Sequence, residues 1–129
     1  MSGPYRHISA TTEGDVLVLT IELEQVKDYV LAEELRYELA HAVKRTRPKK
    51  FVLDLRKMGF MTSLACVAFL RLKATVRDVG GRLILCNMAD FIRKVFAAKR
   101  LLTPSQHTGN VAFEVVDTLH DALEAFASA

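Results

Sequence analysis

The apolar positions of this chain fall into short runs and spaced stripes that alternate along its length. Val16-Leu17-Val18-Leu19-Thr20-Ile21 is almost wholly apolar, and Phe51-Val52-Leu53-Asp54-Leu55 and Arg82-Leu83-Ile84-Leu85-Cys86-Asn87 repeat the pattern. Runs this brief are short for helices and suit strands buried on both faces of a parallel sheet. Tyr5 to Thr12 is more polar and alternates weakly; with the turn residues Glu13-Gly14-Asp15 it predicts the edge strand of an opening hairpin. Val111 to Val116 predicts a last strand.

Between these runs the period becomes helical. Leu31, Leu35, Leu39 and Val43 lie four apart, in a helix predicted from an Asp28 N-cap to Lys44–Arg47. Glu33, Glu34, Arg36, Glu38 and Lys44 are placed toward water, and Pro48 prevents continuation. Acidic residues early and Lys44, Arg45 and Arg47 late match the helix dipole. The second helix follows the turn Lys57-Met58-Gly59, where Gly59 is available for a positive φ, and the pair Thr62-Ser63, whose hydroxyls stand where helix caps stand. Its predicted apolar positions are Leu64, Val67, Ala68, Leu70, Ala74 and Val76, and Gly80-Gly81 ends it. The turn Met88-Ala89-Asp90, with Asp90 as N-cap, leads into a short helix whose apolar face is Phe91, Ile92, Val95 and Phe96. Leu101 to Asn110 has no period and predicts a loop; Thr118 then caps a closing helix carrying Leu119, Ala122, Leu123 and Phe126.

This order predicts a single α/β domain over residues 1–129: a mixed, mostly parallel β-sheet of about five strands with four helices packed on it. Half of the residues are hydrophobic and 26% charged, an ordinary globular balance. A net charge of +3, scattered along the chain, gives no support to direct nucleic-acid binding. No apolar run approaches the roughly 20 residues that span a bilayer, and the first residues lack a signal-peptide core, so the expected location is cytoplasmic. Cys66 and Cys86, each among apolar neighbours, read as small buried hydrophobes.

Candidate chemistry is sparse. There is no CxxC, HExxH, GxGxxG or GxxxxGK[ST] pattern, so no metal or other cofactor is expected. Ser63 at a strand–turn–helix junction resembles a nucleophile elbow only superficially, because Gly59-Phe60-Met61-Thr62-Ser63 is not GxSxG. His7 and His41 form no catalytic pattern, and His107 and His120 read as surface residues; no enzyme is expected. Asp54, late in its strand, reads as a hydrogen-bonding residue of the following turn. Arg93, Lys94, Lys99 and Arg100 read as a solvated helix face, or as a site for an acidic or phosphate-bearing partner.

The element order, Phe51-Val52-Leu53-Asp54-Leu55, the hydroxyl turn, Gly80-Gly81-Arg82-Leu83-Ile84-Leu85-Cys86-Asn87 and Leu119-His120-Asp121-Ala122-Leu123 together resemble the STAS domain family, in its anti-sigma factor antagonist branch. In that family the turn reads aspartate, serine, a hydroxyl residue, glycine and an aliphatic residue, and its serine is phosphorylated by a partner that is both kinase and anti-sigma factor. Carried onto this chain, the acceptor is Ser63, with Thr62 the alternative. Thr62 stands in the aspartate's place, Leu64 in that of the second hydroxyl residue and Ala65 in that of the glycine. The resemblance implies an anti-sigma factor antagonist-like signalling protein that binds an anti-sigma factor/serine kinase, with a phosphatase to reverse the modification; a homodimer stays open. The partner surface is expected at Met58, Gly59, Phe60, Met61, Thr62, Ser63 and Leu64, with Met88 and Asp90 of the neighbouring turn. The alternative is a non-phosphorylated STAS interaction module in a multiprotein signalling scaffold.

Overall fold

The computed structural model describes residues 5–45, 49–102 and 112–128. The opening hairpin pairs β1 (Ile8–Glu13) antiparallel with β2 (Val16–Ile21), and Gly14 supplies the positive φ of 64° that its tight turn requires. After β3 (Gln25–Val26) come α1 (Tyr29–Arg45), β4 (Lys50–Asp54), β5 (Phe60–Met61), α2 (Leu64–Asp78), β6 (Arg82–Cys86), α3 (Asp90–Ala98), β7 (Glu114–Val115) and α4 (Leu119–Ala127). The main sheet has the order β1-β2-β4-β6-β7, parallel from β2 onward, with the polar β1 at its edge as expected. The last strand is shorter than expected: it is Glu114–Val115, and Ala112, Phe113 and Val116 lie outside it in irregular backbone; Val111 and residues 103–110 of the expected loop lie outside the described residues.

Strand alternation divides the core in two. Leu17, Leu19, Ile21, Phe51, Leu53, Leu55 and Leu85 face α1, α2 and α3, while Val16, Val18, Val52, Ile84 and Cys86 face α4. A strand covered on both sides has no reason to alternate apolar with polar, which is why β2, β4 and β6 read as continuous apolar runs. α1 buries the expected Leu35, Leu39 and Val43, and Asp28 caps it by accepting from the Leu31 N–H at 2.8 Å. Two of its outer carboxylates do more than face water. Glu38 accepts from the backbone of Arg6 and His7, and Glu34 lies 2.8 Å from His7 Nε2, so Arg6 and His7 are pinned across α1.

Four expectations are corrected. Leu64, Val67 and Leu70 of α2 are exposed; the buried stripe is Ala65, Cys66, Ala68, Phe69, Leu72 and Val76. Residues 64–70 are all apolar, so no polar residue marks the outer face of this turn of helix. Asp90 does not cap α3: Ala89 holds the cap position, Asp90 begins the helix, and no side chain bonds the first turn. Phe91 is 45% exposed rather than buried with Ile92 and Phe96. Gly59 does not use a positive φ; the α2 terminus does, through Gly80 at 75°, with its N–H closing on the Arg77 carbonyl at 2.9 Å.

Candidate functional site

The carboxyl ends of β2, β4 and β6 open onto one end of the sheet, and three turns meet there. The β4 turn begins at Asp54, 1% exposed, whose Oδ1 accepts from the Arg56 N–H and the Asn87 side-chain amide, both at 3.0 Å. Asp54 is therefore the hydrogen-bonding residue of the turn, joining it to the loop after β6. Asn87 adopts a φ of 57°, which asparagine tolerates better than most residues, and donates its backbone N–H to Asp117.

The rest of the turn is tied to the segment before α1. Gly59 and Phe60 both donate N–H groups to the Glu24 carbonyl, at 2.9 and 3.2 Å, and Thr62 donates its N–H to Val26 at 3.0 Å. β3 and β5 thus form a small parallel sheet beside the main one, with Val26 and Met61 both buried. Met58, 1% exposed, and Met61, 1% exposed, are core residues that anchor the turn from beneath. Met88 is also buried. Of the expected partner-facing residues, Gly59, Ser63, Leu64 and Asp90 are exposed, and Phe60 and Thr62 are half-buried.

The two hydroxyls differ. Thr62 donates its hydroxyl to the Lys27 carbonyl at 3.5 Å. Ser63 occupies the N-cap position of α2 in helical geometry, φ −62° and ψ −16°, and its side chain makes no capping hydrogen bond. A capping side chain needs an extended backbone to reach the next N–H groups, so helical geometry removes that option. The first turn closes instead through backbone bonds from Ala65 N–H to the Thr62 carbonyl and from Cys66 N–H to the Ser63 carbonyl, both 3.1 Å.

Around Ser63 lies an apolar surface that the sequence pattern had assigned to the core. Phe91 stacks on Phe60 with centroids 4.9 Å apart, bridging the turn to α3, and Leu64, Val67 and Leu70 extend outward along α2. Arg93, Lys94, Lys99 and Arg100 are exposed on and just after α3. The surplus of apolar residues in Leu64-Ala65-Cys66-Val67-Ala68-Phe69-Leu70 was a usable signal, because one helix face cannot bury seven consecutive side chains. Both thiols are unreactive in character: burial pushes the Cys66 thiol up, and burial together with the Asp54 charge pushes Cys86 to about 12. Among the described residues no cluster of His, Cys, Asp and Glu is arranged to hold a metal ion, and no helix is long and apolar enough to cross a membrane.

Known proteins resemble this chain in sequence and in fold. The protein named "Putative anti-sigma factor antagonist BtrV" of Bordetella bronchiseptica is 29% identical over 107 residues, covering 83% of this chain and 84% of that one. The fold superposes on an anti-sigma-factor antagonist (STAS) domain protein from Planctomyces limnophilus with a TM-score of 0.74, 18% identity and coverage of 93% and 97%. It also superposes on the phosphorylated form of the Bacillus cell fate determinant SpoIIAA with a TM-score of 0.64, 17% identity and coverage of 92% and 98%. The STAS domain model matches residues 7–123, and the chain belongs to the STAS domain family.

Proposed function

We propose that this protein is an anti-sigma factor antagonist that binds an anti-sigma factor/serine kinase through the end of the sheet bearing Ser63, and that phosphorylation of Ser63 switches this binding off. The observation that carries the reading is the exposed Ser63 hydroxyl, which the helix does not use, next to a Thr62 hydroxyl that already has an acceptor. The partner surface is Gly59, Phe60, Ser63 and Leu64, extended by Val67, Leu70 and Phe91, with Met58, Met61 and Met88 supporting it from within. A phosphoserine brings roughly −1.5 to −2 charges. At the start of α2 those charges meet the favourable end of the helix dipole, so the fold tolerates them. A partner docked over Phe60 and Leu64 would have to desolvate the same dianion, and its affinity falls. A phosphatase restores binding, and the cycle runs in the cytoplasm without catalysis by this chain.

The departures at Thr62, Leu64 and Ala65 favour a second reading, a module held in a signalling assembly and never phosphorylated. Intact mass of the protein purified from its native host, with and without Ser63→Ala, separates the two. An added mass of about 80 Da that disappears in the variant supports the switch, one phosphate being the modification invoked. Retention of that mass in Ser63→Ala with loss in Thr62→Ala moves the acceptor to Thr62. Absence of any added mass under growth and stress leaves the module reading.

A further inference from the structure

At the opposite end of α2, where the helix meets the beginnings of β6 and β7, there is a cavity of about 380 Å³. That lies within the lower range of small-molecule sites, about 300–1,000 Å³. Ser63 and Arg77 are fourteen residues apart, so the helix separates the cavity from the turn by about 21 Å. Its walls combine two kinds of chemistry. Val76, Leu83 and Phe113 present the edge of the core as an apolar floor. Lys73 and Arg77, one helical turn apart, stand on the rim, and the Lys73 ammonium lies 5.9 Å from the centre of the Phe113 ring.

The charge balance at the rim is positive. Among the described residues Glu114 is the one carboxylate lining the cavity, and Arg82 binds it at both oxygens, at 2.8 and 3.1 Å. That pair offsets itself and leaves Lys73 and Arg77. Among the described residues Lys73 has no carboxylate partner, and Arg77 has only Asp78 at 3.8 Å, with both side chains largely in solvent. Such a pair holds a cation weakly. The negative end of the α2 dipole is blunted here, because the Thr75, Val76 and Arg77 carbonyls accept from the N–H groups of Val79, Gly81 and Gly80.

We propose that this cavity binds a small organic anion, a phosphate or carboxylate group carried on a flat apolar body. Lys73 and Arg77 receive the charge, and Val76, Leu83 and Phe113 receive the body. A bare inorganic anion leaves the floor unfilled, and a neutral ring leaves the two cations unused, so both halves of the ligand are required. The site shares no residue with the Ser63 surface and stands whether or not Ser63 is phosphorylated.

Titration of ¹⁵N-labelled protein with phenyl phosphate tests this, with inorganic phosphate and benzyl alcohol as probes carrying one half each. Saturable shifts of the amides at Lys73, Val76, Arg77, Leu83 and Phe113 are expected, with those of Phe60 to Leu64 unmoved. The double variant Lys73→Gln, Arg77→Gln should weaken phenyl phosphate at least about tenfold, the loss expected for charge-assisted hydrogen bonds, while its circular dichroism melt stays close to the parent's. Each half-probe should bind the parent protein more weakly than phenyl phosphate does, which tests the idea without any variant. Non-saturating shifts at millimolar phenyl phosphate, equal binding of benzyl alcohol, unchanged affinity in the folded double variant, or shifts centred on Ser63 would each overturn it.

Discussion

Two helices of this protein begin with a hydroxyl residue, and they use it in opposite ways. Thr118 at the start of α4 has an extended backbone, φ −128° and ψ 163°, and its hydroxyl accepts from the Asp121 N–H at 3.1 Å. Ser63 at the start of α2 has a helical backbone and makes no such bond. α4 is held at its start by a side chain; α2 is held by backbone bonds to Glu24 and Val26 and by the buried Met61 beneath them. The difference separates stability from availability. Where the fold relies on a hydroxyl, chemistry at that hydroxyl costs the fold; where the backbone does the holding, the hydroxyl is left for something else.

The largest effect should come from cutting what replaces the cap. Met61→Ala removes a fully buried side chain under β5 and should cost roughly 2–5 kcal/mol, read by urea unfolding with circular dichroism. Amide exchange at Thr62 to Cys66 should accelerate more than exchange at Thr118 to Ala122. Equal acceleration at both helix starts would mean that Met61 supports the whole core and not the turn in particular, and the contrast between the two helices would lose its basis.

Next in size are the side-chain caps themselves. Thr118→Ala and Asp28→Ala each remove an acceptor from a first-turn N–H and should cost about 1 kcal/mol apiece by the same unfolding measurement. The sites are far enough apart along the chain, on opposite faces of the sheet, for the two losses to add.

These caps also show how far the sequence could be read. Asp28 and Thr118 were recognisable because residue type and the following period agree, and the strands were recognisable because double burial makes continuous apolar runs. Ser63 presents the same residue-type signal as Thr118, yet its backbone angles, set by the ties to Glu24 and Val26, cancel the cap. Those ties come from β3 and β5, two residues each, too short to have a period at all. The outer face of α2 departs from the pattern for a related reason: with seven apolar residues in succession, tertiary packing against α1 and α3 chooses the buried side, and no local residue reveals the choice. The expected acceptor, Ser63, could be picked out by resemblance alone; its uncommitted hydroxyl and the exposed Phe91 beside Phe60 required the fold.

A smaller effect tests the base of the same turn. Lys57 pairs with Glu22 at the end of β2, and hydrogen bonds from Lys57 and then Ser9 hold the Glu22 carboxyl below its ordinary range. Because the folded value is depressed, the stabilisation is present above the ordinary glutamate range near about 4.3 and is lost as pH falls through the folded value. The pair is partly exposed, so Glu22→Gln should cost about 0.5 kcal/mol or less at neutral pH. The gap between parent and variant should close in acid. A gap that stays constant with pH would show that the carboxylate charge contributes nothing to holding the turn.

The smallest effect is the one on which the comparison finally rests. Ser63→Ala should change stability by less than about 0.5 kcal/mol, the range of substitutions that remove no packed or bonded group, while Thr118→Ala loses about 1 kcal/mol in the same buffer. Both changes delete one hydroxyl at a helix start, Thr118→Ala with a methyl besides, and the larger part of the difference between them is whether the oxygen was bonded. A loss near 1 kcal/mol for Ser63→Ala would mean that the serine caps α2 in solution and that phosphorylation there would sacrifice a structural bond. A negligible loss means that α2 begins equally well without the hydroxyl, and a modifying enzyme meets an exposed oxygen that the fold does not hold back.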